Sequence, residues 1–118
     1  YLQYATARIR SIFRRAELDP GQAAGPITIG ESAERALALT LLGFGQAVHQ
    51  AAETAEPHHL ASFVFNVASA FTTFYEECPV LKAPAEPVRQ SRLALCALAL
   101  RVLTKGLDLL GVPVPDRM

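Results

Sequence analysis

The side chains with the widest chemical range in this 118-residue chain are three histidines, two cysteines and eleven acids. Their spacing does not assemble a catalyst. His58 and His59 are adjacent, and neighbours on a helix point about 100° apart, so the two imidazoles cannot ligate one metal ion without help. Directly after Pro57 they would open a helix in solvent. His49 has Glu53 as its one acidic or thiol neighbour at helical spacing. Glu76 and Glu77 are consecutive at a helix end, whereas acid–base catalysis needs groups that converge on a substrate. Cys78 and Cys96 match no C-x-x-C or metal-ligand spacing and read as reduced, partly buried thiols. No Gly-rich phosphate loop, Walker sequence or nucleophile elbow occurs. By its residues the chain is not an enzyme, and neither a catalytic residue nor a metal site is expected.

The cations and tyrosines say more. A formal net charge of zero argues at first against a nucleic-acid partner. Resolved along the chain, residues 1–15 hold four arginines and no acid, and residues 89–118 carry +3. Residues 16–60 carry about −5 and residues 61–88 carry −2. The neutral total is thus +7 on the terminal segments against −7 in the middle. If the first and last helices pack side by side, one flank of the molecule becomes basic. A basic cluster with aromatic side chains nearby is the footprint of a single-stranded RNA site, where cations take phosphates and rings take splayed bases. Arginines that merely solvate polar helix faces give the same pattern, and composition leaves both readings open.

Helices must position these residues. With 51% hydrophobic residues and balanced charge the chain is not disordered, and its length suits one domain that buries roughly two thirds of its unfolded surface. No apolar run reaches the ~18 residues that span a bilayer, and residues 1–16 do not read as a signal peptide. Leu2, Ala5, Ile9, Ile12, Phe13 and Ala16 recur every three or four residues, one face of a first helix. Residues 17–30 hold two prolines and three glycines and stop it, with Ile27–Ile29 short and extended. A second helix runs from Glu31 to about Thr54 on a stripe of Leu37, Leu41, Phe44 and Val48, weakened in its middle by Gly43 and Gly45, which fit a kink or a close helix–helix approach. A third begins at Pro57 and buries Leu60, Val64, Val67, Phe71 and Phe74, with Phe63 and Phe65 widening the stripe. Three prolines between Glu77 and Pro87 break the pattern. A fourth helix spans Val88–Leu110, with Leu93, Cys96, Leu100, Leu103, Leu107 and Leu110 on one seam and Gly111 as its C-cap. The expected fold is all-α: a helical bundle of four main helices with an extended C-terminal tail.

Local words narrow the function. The opening Tyr1-Leu2-Gln3-Tyr4-Ala5-Thr6-Ala7-Arg8, the central Pro57-His58-His59-Leu60-Ala61 with Ala70–Leu81, and the closing Gly106–Gly111 with Pro115-Asp116-Arg117-Met118 occur in this order. Together they resemble the anticodon-binding domain of arginyl-tRNA synthetases across residues 1–118. Two departures stand out. Thr6 occupies a position where the family usually has His, and the nearest string to its Asp-Ala-Leu-Arg signature is Leu98-Ala99-Leu100-Arg101.

The resemblance implies a C-terminal recognition domain, residues 1–118, cut from a longer enzyme, which also accounts for a start at Tyr1 rather than Met. It implies binding of the anticodon loop of an arginine-specific tRNA, contact with the enzyme's own catalytic domain, and a cytoplasmic setting without DNA or membrane. Arginine activation with ATP and Mg²⁺ would belong to the missing N-terminal domains, leaving no cofactor here. It places Tyr1 or Tyr4, Tyr75 and Met118 at the anticodon loop. Arg8, Arg14, Arg101 and Lys105 follow from charge and helical face as phosphate contacts. Each tyrosine has an ordinary alternative: Tyr4 and Tyr75 as core filling, Tyr1 as packing against another domain. The alternative function is a helical protein–protein interaction or assembly domain that binds no nucleic acid.

Overall fold

The computed structural model describes residues 1–23 and 25–112. Among these the chain forms α1 (Leu2–Ala16), a 3₁₀ turn at Pro20–Gln22, α2 (Ser32–Leu42), α3 (Phe44–Thr54), α4 (His58–Glu77) and α5 (Glu86–Leu109). No strand occurs among the described residues. The all-α bundle expected from the periodicity is the fold, with one refinement: the second expected helix is two. Its break lies at Gly43, where a Cβ would meet the Phe63 ring at 3.3 Å and the Thr40 carbonyl at 3.4 Å. A residue without a side chain there lets α4 approach the turn between α2 and α3. The tail from residue 113, expected to be extended, lies outside the described residues.

Helix ends follow from local chemistry. α5 closes in a Schellman motif: the Val112 amide donates to the Leu107 carbonyl (2.9 Å) and the Gly111 amide to Asp108 (3.0 Å). Gly111 sits at φ +76°, a conformation that favours glycine. α1 ends the same way, with Leu18 donating to Phe13 and Glu17 held at φ +54°. Residues 27–29 pair with a side chain rather than a strand. The Thr28 amide donates to the Ser91 hydroxyl (2.8 Å), which in turn donates to the Thr28 carbonyl (3.1 Å).

α4 touches all four other helices, the central place its apolar stripe predicts. Val64, Val67, Phe71 and Phe74 are fully buried, but Phe65 is 53% exposed and does not widen the stripe. Position 65 is one residue past Val64, and the 100° step turns it out of the core. Ile9 and Ile12 of α1 and Leu93, Cys96, Leu103 and Leu107 of α5 complete the interior. α3 buries none of its residues fully and is the most peripheral helix. At Gly106 α5 comes so close to α4 that a Cβ would stand 2.6 Å from Val64 Cγ2.

One buried ion pair ties the loops to this core. Arg92 of α5 donates through Nε to Glu34 Oε2 (3.0 Å) and through an Nη to the Pro79 carbonyl (2.7 Å). Glu34 Oε1 accepts the Gly30 and Glu31 amides at 3.0 and 2.7 Å. Burial pushes the Glu34 carboxyl upward, yet the Arg92 and backbone hydrogen bonds and the Arg92 charge outweigh it and hold its pKa below the usual value.

Candidate nucleic-acid interface

The packing of α1 between α4 and α5 leaves a polar face pointing outward. Ile9 and Ile12 point inward, while Tyr4, Arg8, Ser11 and Arg15 follow one another at i, i+4, i+7 and i+11 on the outer side. With Arg14 and with Tyr75 of α4 they line a depression of about 280 Å³. Tyr4 is 66% exposed, so it does not fill the bundle. Tyr75 is half-buried. Its ring lies 6.1 Å from that of Phe71, and the Arg8 guanidinium carbon sits 4.6 Å from its centroid. The stacking surface is therefore a tyrosine capped by an arginine. Both an aromatic ring and a guanidinium plane are groups on which flat bases can stack. Tyr75 and Arg15 also line a second depression, of about 390 Å³, under the loop Pro79–Lys82.

Tyr1 is 58% exposed but lies elsewhere along α4. Its ring sits 5.4 Å from Phe65, and its hydroxyl is 3.2 Å from Thr72 Oγ1. The Thr72 hydroxyl already donates to the Ala68 carbonyl, so Tyr1 is the donor in that bond. Arg101 and Lys105 lie outside the Tyr75 depression. They line a groove of about 840 Å³ with Arg10, Asp19, Thr104 and Asp108 over a floor that includes Leu41 and Phe44. The two regions adjoin: Arg14 is shared with an intermediate hollow that Arg10 also lines, and Arg10 reaches the larger groove. Tyr4, Arg8, Arg14 and Tyr75 thus line one depression, Arg101 and Lys105 continue from it in a band of cations interleaved with Glu17, Asp19 and Asp108, and Tyr1 stands apart. Met118 lies outside the described residues.

The band contains two residues that sequence reasoning missed, Arg10 and Arg15. Arg15 is exposed and Arg10 half-buried on α1, and only the helix packing shows which groove each one lines. Within that groove Arg10 Nε and Thr104 Oγ1 are buried with no hydrogen-bond partner among the described residues. Thr6 is fully buried and its hydroxyl donates to the Gln3 carbonyl at 2.8 Å, so this position contributes to packing rather than to the surface.

Among the described residues no nucleophile meets an acid–base partner. Cys78 and Cys96 are buried free thiols; burial raises the pKa of both, that of Cys96 to about 12. His49 pairs with Glu53 at 3.3 Å on the exposed side of α3. The divergence expected of His58 and His59 does not hold. Their rings lie 4.1 Å apart and both Nε2 atoms approach Glu56, because the turn before α4 brings that carboxylate back over its first residues.

A family model for the DALR anticodon binding domain matches residues 2–118. The arginine–tRNA ligase of Thermobifida fusca is 60% identical over 118 residues, which are all of this chain and 20% of that protein. The arginyl-tRNA synthetase structure from Thermus thermophilus covers the whole chain with a TM-score of 0.84 and 40% identity. The one from Plasmodium falciparum does so with a TM-score of 0.84 and 27% identity. In each structure the matched region is 21% of the solved chain. The chain thus spans about a fifth of the length of these relatives.

Proposed function

The chain belongs to the DALR anticodon binding domain family, and from that membership we propose that it grips the anticodon loop of an arginine-specific tRNA as the C-terminal domain, residues 1–118, of an arginyl-tRNA synthetase. Attachment of arginine, with its ATP and Mg²⁺, belongs to catalytic domains outside this chain. The observation that carries the reading is the band that starts at Tyr4, Arg8, Arg14 and Tyr75 and continues to Arg101 and Lys105 on a chain of zero net charge.

The chemistry follows from the parts. An anticodon loop offers unpaired bases and closely spaced phosphates, and no duplex groove needs to be read. The Tyr75 ring and the Arg8 plane supply stacking, worth roughly 1–3 kcal/mol per base. Tyr4, one turn before Arg8, offers a second ring. Arg14, Arg101 and Lys105 take phosphates, fixing the register of the loop without reading sequence. Met118, which lies outside the described residues, completes the proposed set. Tyr1, held by Thr72 and Phe65, fits a contact with the rest of the enzyme better than a base. Leu42, 79% exposed on α2, fits such a contact too. No helix among the described residues is long and apolar enough to cross a membrane, which accords with a cytoplasmic setting.

Fluorescence anisotropy with a labelled anticodon-arm hairpin tests this reading. Tyr75→Ala is expected to weaken binding by about tenfold, the lower half of the stacking range. Affinity unchanged by that substitution would remove Tyr75 from the site.

A further inference from the structure

Away from that band, the turn between α3 and α4 gathers three side chains of types that ligate metals. Ala55 leaves α3 at φ +55°, Glu56 follows, and Pro57 caps a helix that opens with His58 and His59. Glu56 Oε2 stands 3.6 Å from His58 Nε2 and 3.7 Å from His59 Nε2. All three ligand atoms lie within 4.8 Å of one another. Consecutive helical residues do not ordinarily aim their tips at one point. Here both imidazoles turn toward the same carboxylate oxygen.

We propose that Glu56, His58 and His59 form a surface zinc site. The two separations are too long for hydrogen bonds, so the carboxylate does not saturate either ring nitrogen. They are only a few tenths of an ångström longer than the edge of about 3.3 Å between ligands of a tetrahedral ion bound at roughly 2.0–2.1 Å. A small contraction along these two edges, with the third edge between the imidazole nitrogens no longer than 4.8 Å, brings the three groups around one ion. The donor set, two imidazole nitrogens and one carboxylate oxygen, suits Zn²⁺ and leaves the fourth position to water. It disfavours Mg²⁺ and Ca²⁺, which take oxygen ligands. The N-terminal dipole of α4 works against a cation, and the Glu56 charge opposes that effect. Glu56 and His58 are exposed and His59 is half-buried, so the site is open to solvent rather than an enclosed structural site. When bound, the ion links the α3–α4 turn to the first turn of α4, a clip beside the one helix that buries none of its own residues fully.

The protein stripped of metal is titrated with zinc chloride in chelator-free buffer, by calorimetry and by NMR of the imidazole ring protons. One equivalent is expected to bind, with the His58 and His59 signals moving together and those of His49 unmoved. His58→Ala, His59→Ala and Glu56→Gln each lower affinity at least tenfold, while His49→Ala leaves it intact. These side chains lie at the surface, so the variants retain the fold, which circular dichroism verifies. Zinc uptake unchanged in both His58→Ala and His59→Ala, equal response at His49, or no uptake below millimolar zinc would overturn the site.

Discussion

Arg8 and Tyr75 act as one unit. The guanidinium lies 4.6 Å from the ring centroid, and its planar form matters as much as its charge. Arg8→Lys keeps the cation but loses the stacking plane. It should retain the salt dependence of RNA binding while weakening affinity several-fold, as a salt titration by anisotropy will show. The buried Arg92 makes a different kind of prediction. Arg92→Met leaves the Glu34 carboxylate enclosed without its counter-ion, and losses of about 3–5 kcal/mol are usual for such breaks. Urea unfolding should register the loss. The pH dependence has a fixed sign: the native pKa of Glu34 is lowered from the ordinary 4.5. Its contribution is therefore complete above about pH 4.5 and is lost as pH falls through the lowered native value. Acid unfolding of Glu34→Gln should lack this part of the profile.

At the scale of the helices, two glycines separate packing from propensity. At Gly106 a Cβ would meet Val64 at 2.6 Å, whereas at Gly45 nothing lies within 4 Å. Gly106→Ala should destabilise by about 1–3 kcal/mol although alanine favours helix, because α4 and α5 must separate. Gly45→Ala should stabilise by up to about 1 kcal/mol. Thermal melts of the pair decide between close approach and simple helix weakening. These contacts also mark what the sequence could reveal. The stripe Ile9–Ile12, the stripe Val64–Phe74 and the Gly111 cap were legible, since each is a local pattern with a local cause. At Gly43 a weakening, a kink or a close helix approach was legible, but not that the helix ends there or that the neighbour is Phe63, twenty residues away on another helix. Arg92 was invisible: a charge in an α5 pattern reads as solvated, and its burial depends on Glu34 and the Pro79 carbonyl arriving from elsewhere.

On the scale of the whole molecule, neutrality conceals a division of charge. α1 and α5 pack side by side, and their cations line one band, interleaved with Glu17, Asp19 and Asp108, that no count of charges could locate. Arg8 and Arg14 were readable as cations on the polar side of α1, but the exposure of Tyr4 was left open, and Tyr75 joins them only because α4 lies against that helix. Arg101 and Lys105 were readable as cations one turn apart, not as members of a separate groove. Recognition of a tRNA anticodon loop through this band is the central claim. Its most direct test is the affinity of the chain for an anticodon-arm hairpin measured across salt concentrations. If Arg8, Arg14, Arg101 and Lys105 each neutralise one phosphate, log affinity should fall against log salt with a slope near −3, about 0.7 per contact for single strands. Replacing Arg101 and Lys105 together by glutamine should make that slope shallower by about 1.4. A hairpin that binds no better than an unrelated duplex, or a slope unchanged in that double variant, would contradict the account.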